Sequence, residues 1–136
     1  DLDDAAGLLR GVAERSKDAE LREMTRIRLV RVLIEQGKHD EALASLDAST
    51  AGAFAPLVQE VRGDAYAAKG DSAAALKEYV AALEAAGQDS GLDREFVELK
   101  RDAQAQVPPA TATATAPATA SAPVAPEAPS PEAVTK

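Results

Sequence analysis

The sequence contains no cysteine and no tryptophan, and His39 is its single histidine. These absences exclude thiolate nucleophiles, disulfides and any zinc site that needs two imidazoles. They leave the compartment open, because neither an oxidising nor a reducing environment acts on a chain without thiols. Aromatic residues are nearly as scarce: Phe54, Tyr66, Tyr79 and Phe96 make up 3% of the 136 residues, so a core has to be assembled from Ala, Leu, Val and Ile. Basic residues are in deficit, 15 against 23 acidic ones, for a formal charge of −8. A chain short of both rings and cations is unsuited to duplex phosphates, to stacked single strands and to anionic lipid surfaces, so no nucleic-acid partner is expected. No apolar run reaches the length of a signal peptide or a membrane span, and the chain opens at Asp1 without Met, which predicts that the natural N-terminus lies upstream.

What is present divides into two regimes. Seven of the eight prolines follow Val107, whereas all eight glycines lie at or before Gly91. Between Val107 and Lys136 the charges are Glu127, Glu132 and Lys136, and no apolar side chain exceeds Val. Ordering such a segment costs roughly 1–2 kcal/mol per residue with little apolar surface to bury in return, so residues 107–136 are expected to form a disordered, partly polyproline-like tail. The first 106 residues keep 14 of the basic and 21 of the acidic side chains, a balance of −7.

Those 106 residues read as helix throughout. Leu21, Met24, Ile27, Val30, Leu33 and Ile34 recur at helical spacing, with acids near the start and Gly37 after the end. A short Ala/Leu-rich helix is expected over 40–46, with Asp40 placed to cap it. Pro56 suits a first helical turn, and a helix over 57–69 stops at Gly70. Another spans 72–85. Leu92, Phe96, Leu99 and Ala103 then predict an amphipathic helix over 92–106 that caps the domain. No window alternates as a strand would.

Placing Gly37 over Gly70 aligns Ala42-Leu43 with Ala75-Leu76 at a displacement of 33 residues. A two-helix period near 34 residues is the tetratricopeptide signature. Gly63, Tyr66, Gly70, Ala75, Tyr79 and Ala82 fall at its small, aromatic, small, small, aromatic and small positions, and Gly37 and Ala42 keep the pattern in the preceding copy. Gly63 and Ala75 should let the helices of one hairpin approach, Tyr66 and Tyr79 should fill the space between hairpins, and Ala82 should admit the next helix. The expected fold is thus all-α, a tetratricopeptide-like solenoid over residues 1–106. It would begin in the second helix of a repeat, leaving a sticky N-terminal face.

The Arg-rich run from Arg26 to Leu43 with its Gln36-Gly37 turn, the Gly52-Ala53-Phe54 linker, and Glu60-Val-Arg-Gly63-Asp64-Ala-Tyr66 followed by Gly70-Asp71 carry more than the generic repeat. Together they resemble the YfgM-like family, the ancillary subunit of the bacterial SecYEG translocon. The resemblance implies a non-enzymatic periplasmic domain of a single-span inner-membrane protein, with the translocon and a periplasmic isomerase-type chaperone as partners. It also implies an N-terminal membrane anchor upstream of Asp1. A tetratricopeptide scaffold of envelope assembly, such as a lipoprotein, or a cytosolic adaptor is the alternative.

No motif calls for a catalyst, a metal or a cofactor. His39 reads as an exposed loop residue, since no nucleophile or second base lies at a recognisable spacing. Arg62-Gly63-Asp64 spells an adhesion tripeptide, but inside a predicted helix it is not displayed as a loop. Arg22, Arg26, Arg28 and Arg31 stand out in so acidic a chain, either as an anion or acidic-partner site or as partners of Glu23 and Glu35. First helices of tetratricopeptide hairpins line a concave face. That geometry places Met24, Ile27, Arg31, Ile34 and Glu35, followed by Leu57, Glu60, Asp64 and Ala68, along a partner-binding groove, basic and apolar on one hairpin and acidic on the next. The competing reading packs Met24, Ile27 and Ile34 into the solenoid.

Overall fold

A computed structural model describes residues 1–108; the expected tail therefore lies, from residue 109 onward, outside the described residues. Six α-helices follow one another: α1 (Leu2–Arg15), α2 (Ala19–Glu35), α3 (His39–Ala44), α4 (Ala55–Lys69), α5 (Ser72–Ala85) and α6 (Arg94–Ala105), with one 3-10 turn at Gly52–Phe54 and no strand among the described residues. The predicted all-α class holds.

Aspartates start four of these helices by accepting hydrogen bonds from otherwise unpaired first-turn N–H groups. Asp1 accepts from Asp3, Asp18 from Glu20 and Leu21, Asp71 from Ala74 at 3.0 Å and Asp93 from Phe96 at 3.1 Å. Pro56 occupies the first turn of α4, and Gly70 ends that helix in the left-handed region at φ 88°. Replacing Asp71 by Ala should cost about 1 kcal/mol, and Asn at that position should retain most of the cap, as read by thermal denaturation of the two variants.

The start of α3 departs from expectation. Lys38 holds the cap position without a side-chain cap, and Asp40 lies inside the first turn, where its carboxylate pairs with the Lys69 ammonium of α4. That pairing holds the Asp40 carboxyl below its ordinary range and raises the Lys69 ammonium. His39, expected in an exposed loop, is the first residue of α3 and is half-buried.

Packing follows the order of a helical solenoid. α2 packs on α3 and α4 on α5 as hairpins, α2 packs on α4 across them, and α1 and α6 pack on α2 and α5 at the two ends. One core cluster, around Val30, Leu33, Ala42, Val58, Val61 and Ala65, joins α2, α3 and α4. A second, of Ala75, Tyr79, Ala82, Leu83 and Val97, joins α5 to α6. Arginines tie successive units together. Arg62 of α4 donates to the Leu46 carbonyl at 3.0 Å just beyond α3 and to Glu78 of α5 at 3.0 Å, while Arg94 of α6 donates to the Leu83 and Ala86 carbonyls at 2.9 and 3.2 Å. A guanidinium at a helix C-terminus satisfies orphan carbonyls and opposes the negative end of the dipole.

The stripe predicted for the last helix is not its buried face. Val97 is fully buried, whereas Phe96 and Leu99 are 50% and 67% exposed and Ala103 is also exposed. The reason is that α6 meets α5 along a narrow seam through Val97 and gives the Phe96 ring to the Lys100 ammonium, 4.5 Å from the ring centroid. At the other end, Leu8 and Val12 of α1 are exposed.

Candidate partner-binding groove

The first helices α2 and α4 lie side by side and bring most of the predicted groove residues together in two adjoining clefts. Met24, Ile27, Arg31 and Leu57 line one cleft of about 280 Å³, joined there by Arg28, Phe54 and Gly91. Arg31, Ile34, Glu35 and Asp64 line the other, of about 440 Å³, with Leu2, Val32 and Lys100. Arg31 is shared by both. Met24 is exposed and Leu57 half-buried, whereas Ile27 is buried and forms floor rather than rim. Ala68 is exposed but lines neither cleft.

Glu60 does not offer a free charge to the groove. It is 6% exposed, and its carboxylate accepts from the Lys100 ammonium at 2.8 Å; the same ammonium lies 2.9 Å from Asp64. Asp64 in turn accepts from the Tyr79 hydroxyl at 2.8 Å. A cation from α6 therefore halves the charge of the expected acidic half of the groove. Lys100 stands 40 residues from Glu60 in the chain, and no local spacing links them. The available signal was that α6 follows α5 in the chain as the first helix of a further hairpin would.

The repeat positions also find specific partners. Ala42, Ala75 and Ala82 are fully buried, and Gly37 and Gly70 hold positive φ of 74° and 88° where the chain turns between paired helices. Tyr66 is half-buried, with the Arg62 guanidinium 6.0 Å from its ring centroid. Tyr79, expected between hairpins, packs with Val97 of α6 and also crosses Gly63 within the α4–α5 hairpin: a Cβ on Gly63 would stand 2.5 Å from the Tyr79 Cε1. Gly63 makes room for a ring rather than for a neighbouring backbone.

Burial first, and then the Asp64 charge, push the Tyr79 phenol well above the ordinary tyrosine range. The folded state thus holds this proton more tightly than the unfolded chain does. The resulting stability is intact below about pH 10 and declines as the pH rises beyond it. Denaturant midpoints measured across that range should fall more steeply for the parent than for Tyr79→Phe, which has no phenol to titrate.

Of the four arginines on α2, Arg26 pairs with Glu23 at 2.7 Å and Arg22 reaches the Ser16 carbonyl at 3.5 Å. Arg28 and Arg31 are exposed and form no ion pair among the described residues. Among those residues no three His, Cys, Asp or Glu side chains gather where they would hold a metal ion, and no helix is long and apolar enough to cross a membrane.

A hairpin solenoid with a groove along its first helices defines a class, and a family model described as a tetratricopeptide repeat-like domain matches residues 1–106: the chain belongs to that family. The ancillary SecYEG translocon subunit of Neisseria gonorrhoeae (strain ATCC 700825 / FA 1090) is 44% identical over 101 residues, covering 74% of this chain and 48% of that protein. The chain spans about half the length of this relative. It is the kind of protein that the Arg-rich helix and the Gly-Ala-Phe linker resemble. No solved structure matches the chain.

Proposed function

We propose that the chain is a non-enzymatic protein-binding module that works beside the Sec translocon, on the periplasmic side of the bacterial inner membrane, and engages translocon and periplasmic chaperone partners through its groove. The similarity to an ancillary translocon subunit supports the setting. The observation that carries the reading is the pair of clefts meeting at Arg31, where apolar side chains recessed between two first helices adjoin charged ones. Such a surface takes an extended or helical segment of another polypeptide, with apolar anchors supplying affinity and charges setting orientation.

Photocrosslinking from positions 24 and 57 of the natural protein in intact cells tests this. Adducts with translocon subunits or a periplasmic chaperone are expected from both positions, and adducts with lipid alone, or none, overturn the groove. Reporter fusions at Gly37 should place the domain outside the cytoplasm; a cytoplasmic reading ends the translocon proposal.

A further inference from the structure

We propose that the cleft between Met24 and Leu57 selects a partner segment that is both apolar and acidic, a large apolar side chain seated in the cleft with an Asp or Glu paired to Arg28 and Arg31. This rests on the groove reading above and names the chemistry of its occupant. The chain carries −8 overall, yet the charged residues lining this cleft are Arg28 and Arg31, with no acid among them, a local +2. The two arginines stand three residues apart on α2, which puts them on one face of the helix. Neither has a carboxylate partner among the described residues, unlike Arg26 and Arg62. Two forked guanidiniums beside each other suit a carboxylate, which each binds through paired N–H groups.

Two further observations favour an acidic polypeptide. Lys100 offsets one of the two charges of Glu60 and Asp64, which weakens the repulsion that the acids on α4 would exert on such a segment along the groove. The apolar floor is recessed, with Ile27 buried and Phe54 and Leu57 half-buried, so it receives a side chain rather than a flat surface. An anionic membrane would meet the same arginines but also the acidic remainder of the chain, which repels it.

Selection of a random short-peptide library on the full chain, followed by titration of the enriched peptides, tests the proposal. Enriched sequences should combine a large apolar residue with Asp or Glu. Arg28→Glu and Arg31→Glu should each weaken them about tenfold, with Arg→Lys weakening less and Arg15→Glu, a charge reversal on α1, leaving binding unchanged. Arg28 and Arg31 are exposed, so circular dichroism should show these variants folded. Peptides weakened by Met24→Asp and Leu57→Ala but lacking acids, or indifferent to both charge reversals, overturn the acidic selectivity while leaving a peptide-binding groove. Peptides indifferent to Met24→Asp and Leu57→Ala, or no enrichment at all, overturn the groove itself. Arg28-dependent flotation with phosphatidylglycerol vesicles, without acidic peptides in the selection, assigns the arginines to lipid phosphate and sinks the proposal.

Discussion

Gly63→Ala lowers the stability of the domain by about 1–3 kcal/mol, and Gly63→Leu prevents folding. The sign is the informative part. In an exposed helix Ala is favoured over Gly by about 1 kcal/mol, so propensity alone predicts a gain. Here the added Cβ meets ring atoms of Tyr79 at 2.5 and 2.7 Å, and that ring is 2% exposed, with its hydroxyl tied to Asp64, so it has no free direction in which to retreat. Gly7 of α1 is the matched control, because nothing lies within 4 Å of its Cβ position. Gly7→Ala should stabilise by about 0.5–1 kcal/mol. The measurement is chemical denaturation of Gly7→Ala, Gly63→Ala, Tyr79→Leu and the double variant Gly63→Ala/Tyr79→Leu. Shrinking the ring should remove most of the penalty, so the two substitutions are strongly non-additive; simple addition would show that the close contact is not the cause.

Lys100→Met removes about 2–3 kcal/mol, because it leaves the Glu60 carboxylate buried without its cation. The loss falls short of that for a fully buried pair, since the Lys100 side chain keeps 20% of its surface in solvent. Two features separate this from loss of packing. Met preserves most of the aliphatic stem, and Glu60→Gln in the Lys100→Met background should restore much of the stability by removing the stranded charge. Amide exchange should localise the effect, with α6 protection falling first because Lys100 is its polar bond to α4. Full stability in Lys100→Met would mean that Glu60 and Asp64 find other partners and that α6 is held by Val97 and Arg94 alone.

The sequence was most informative where a position has one local reason. The 33-residue displacement of Gly37 and Gly70 marked the turns because both need positive φ, and Pro56 and Gly70 bracketed α4 for reasons confined to a single turn. Arg31 and Leu57 could be placed on one face because the repeat makes α2 and α4 first helices that line the same side, and one cleft does contain both. Failures came where the deciding partner is distant. Asp40 looked like a cap until Lys69, 29 residues on, drew it into an ion pair. Leu92, Phe96, Leu99 and Ala103 formed a regular apolar stripe, but periodicity cannot say which face a neighbour covers, and α5 covers Val97 instead. Glu60 had the spacing of a groove residue, yet it is buried against Lys100 from α6, so Asp64 alone of the two α4 acids lines the cleft.

The fastening of each hairpin to the next has an architectural consequence. Arg62 and Arg94 both reach back to the carbonyl end of the preceding second helix, and they stand 94 − 62 = 32 residues apart. The stretch from residue 55 to residue 93, which takes in the whole of α4 and α5, is accordingly a cassette that carries its own clasp on Arg62 and ends where the following clasp begins. Duplicating it in frame would supply each added copy with its own fastening and lengthen the array without new loops having to be invented, a route by which short proteins of this build grow into long ones.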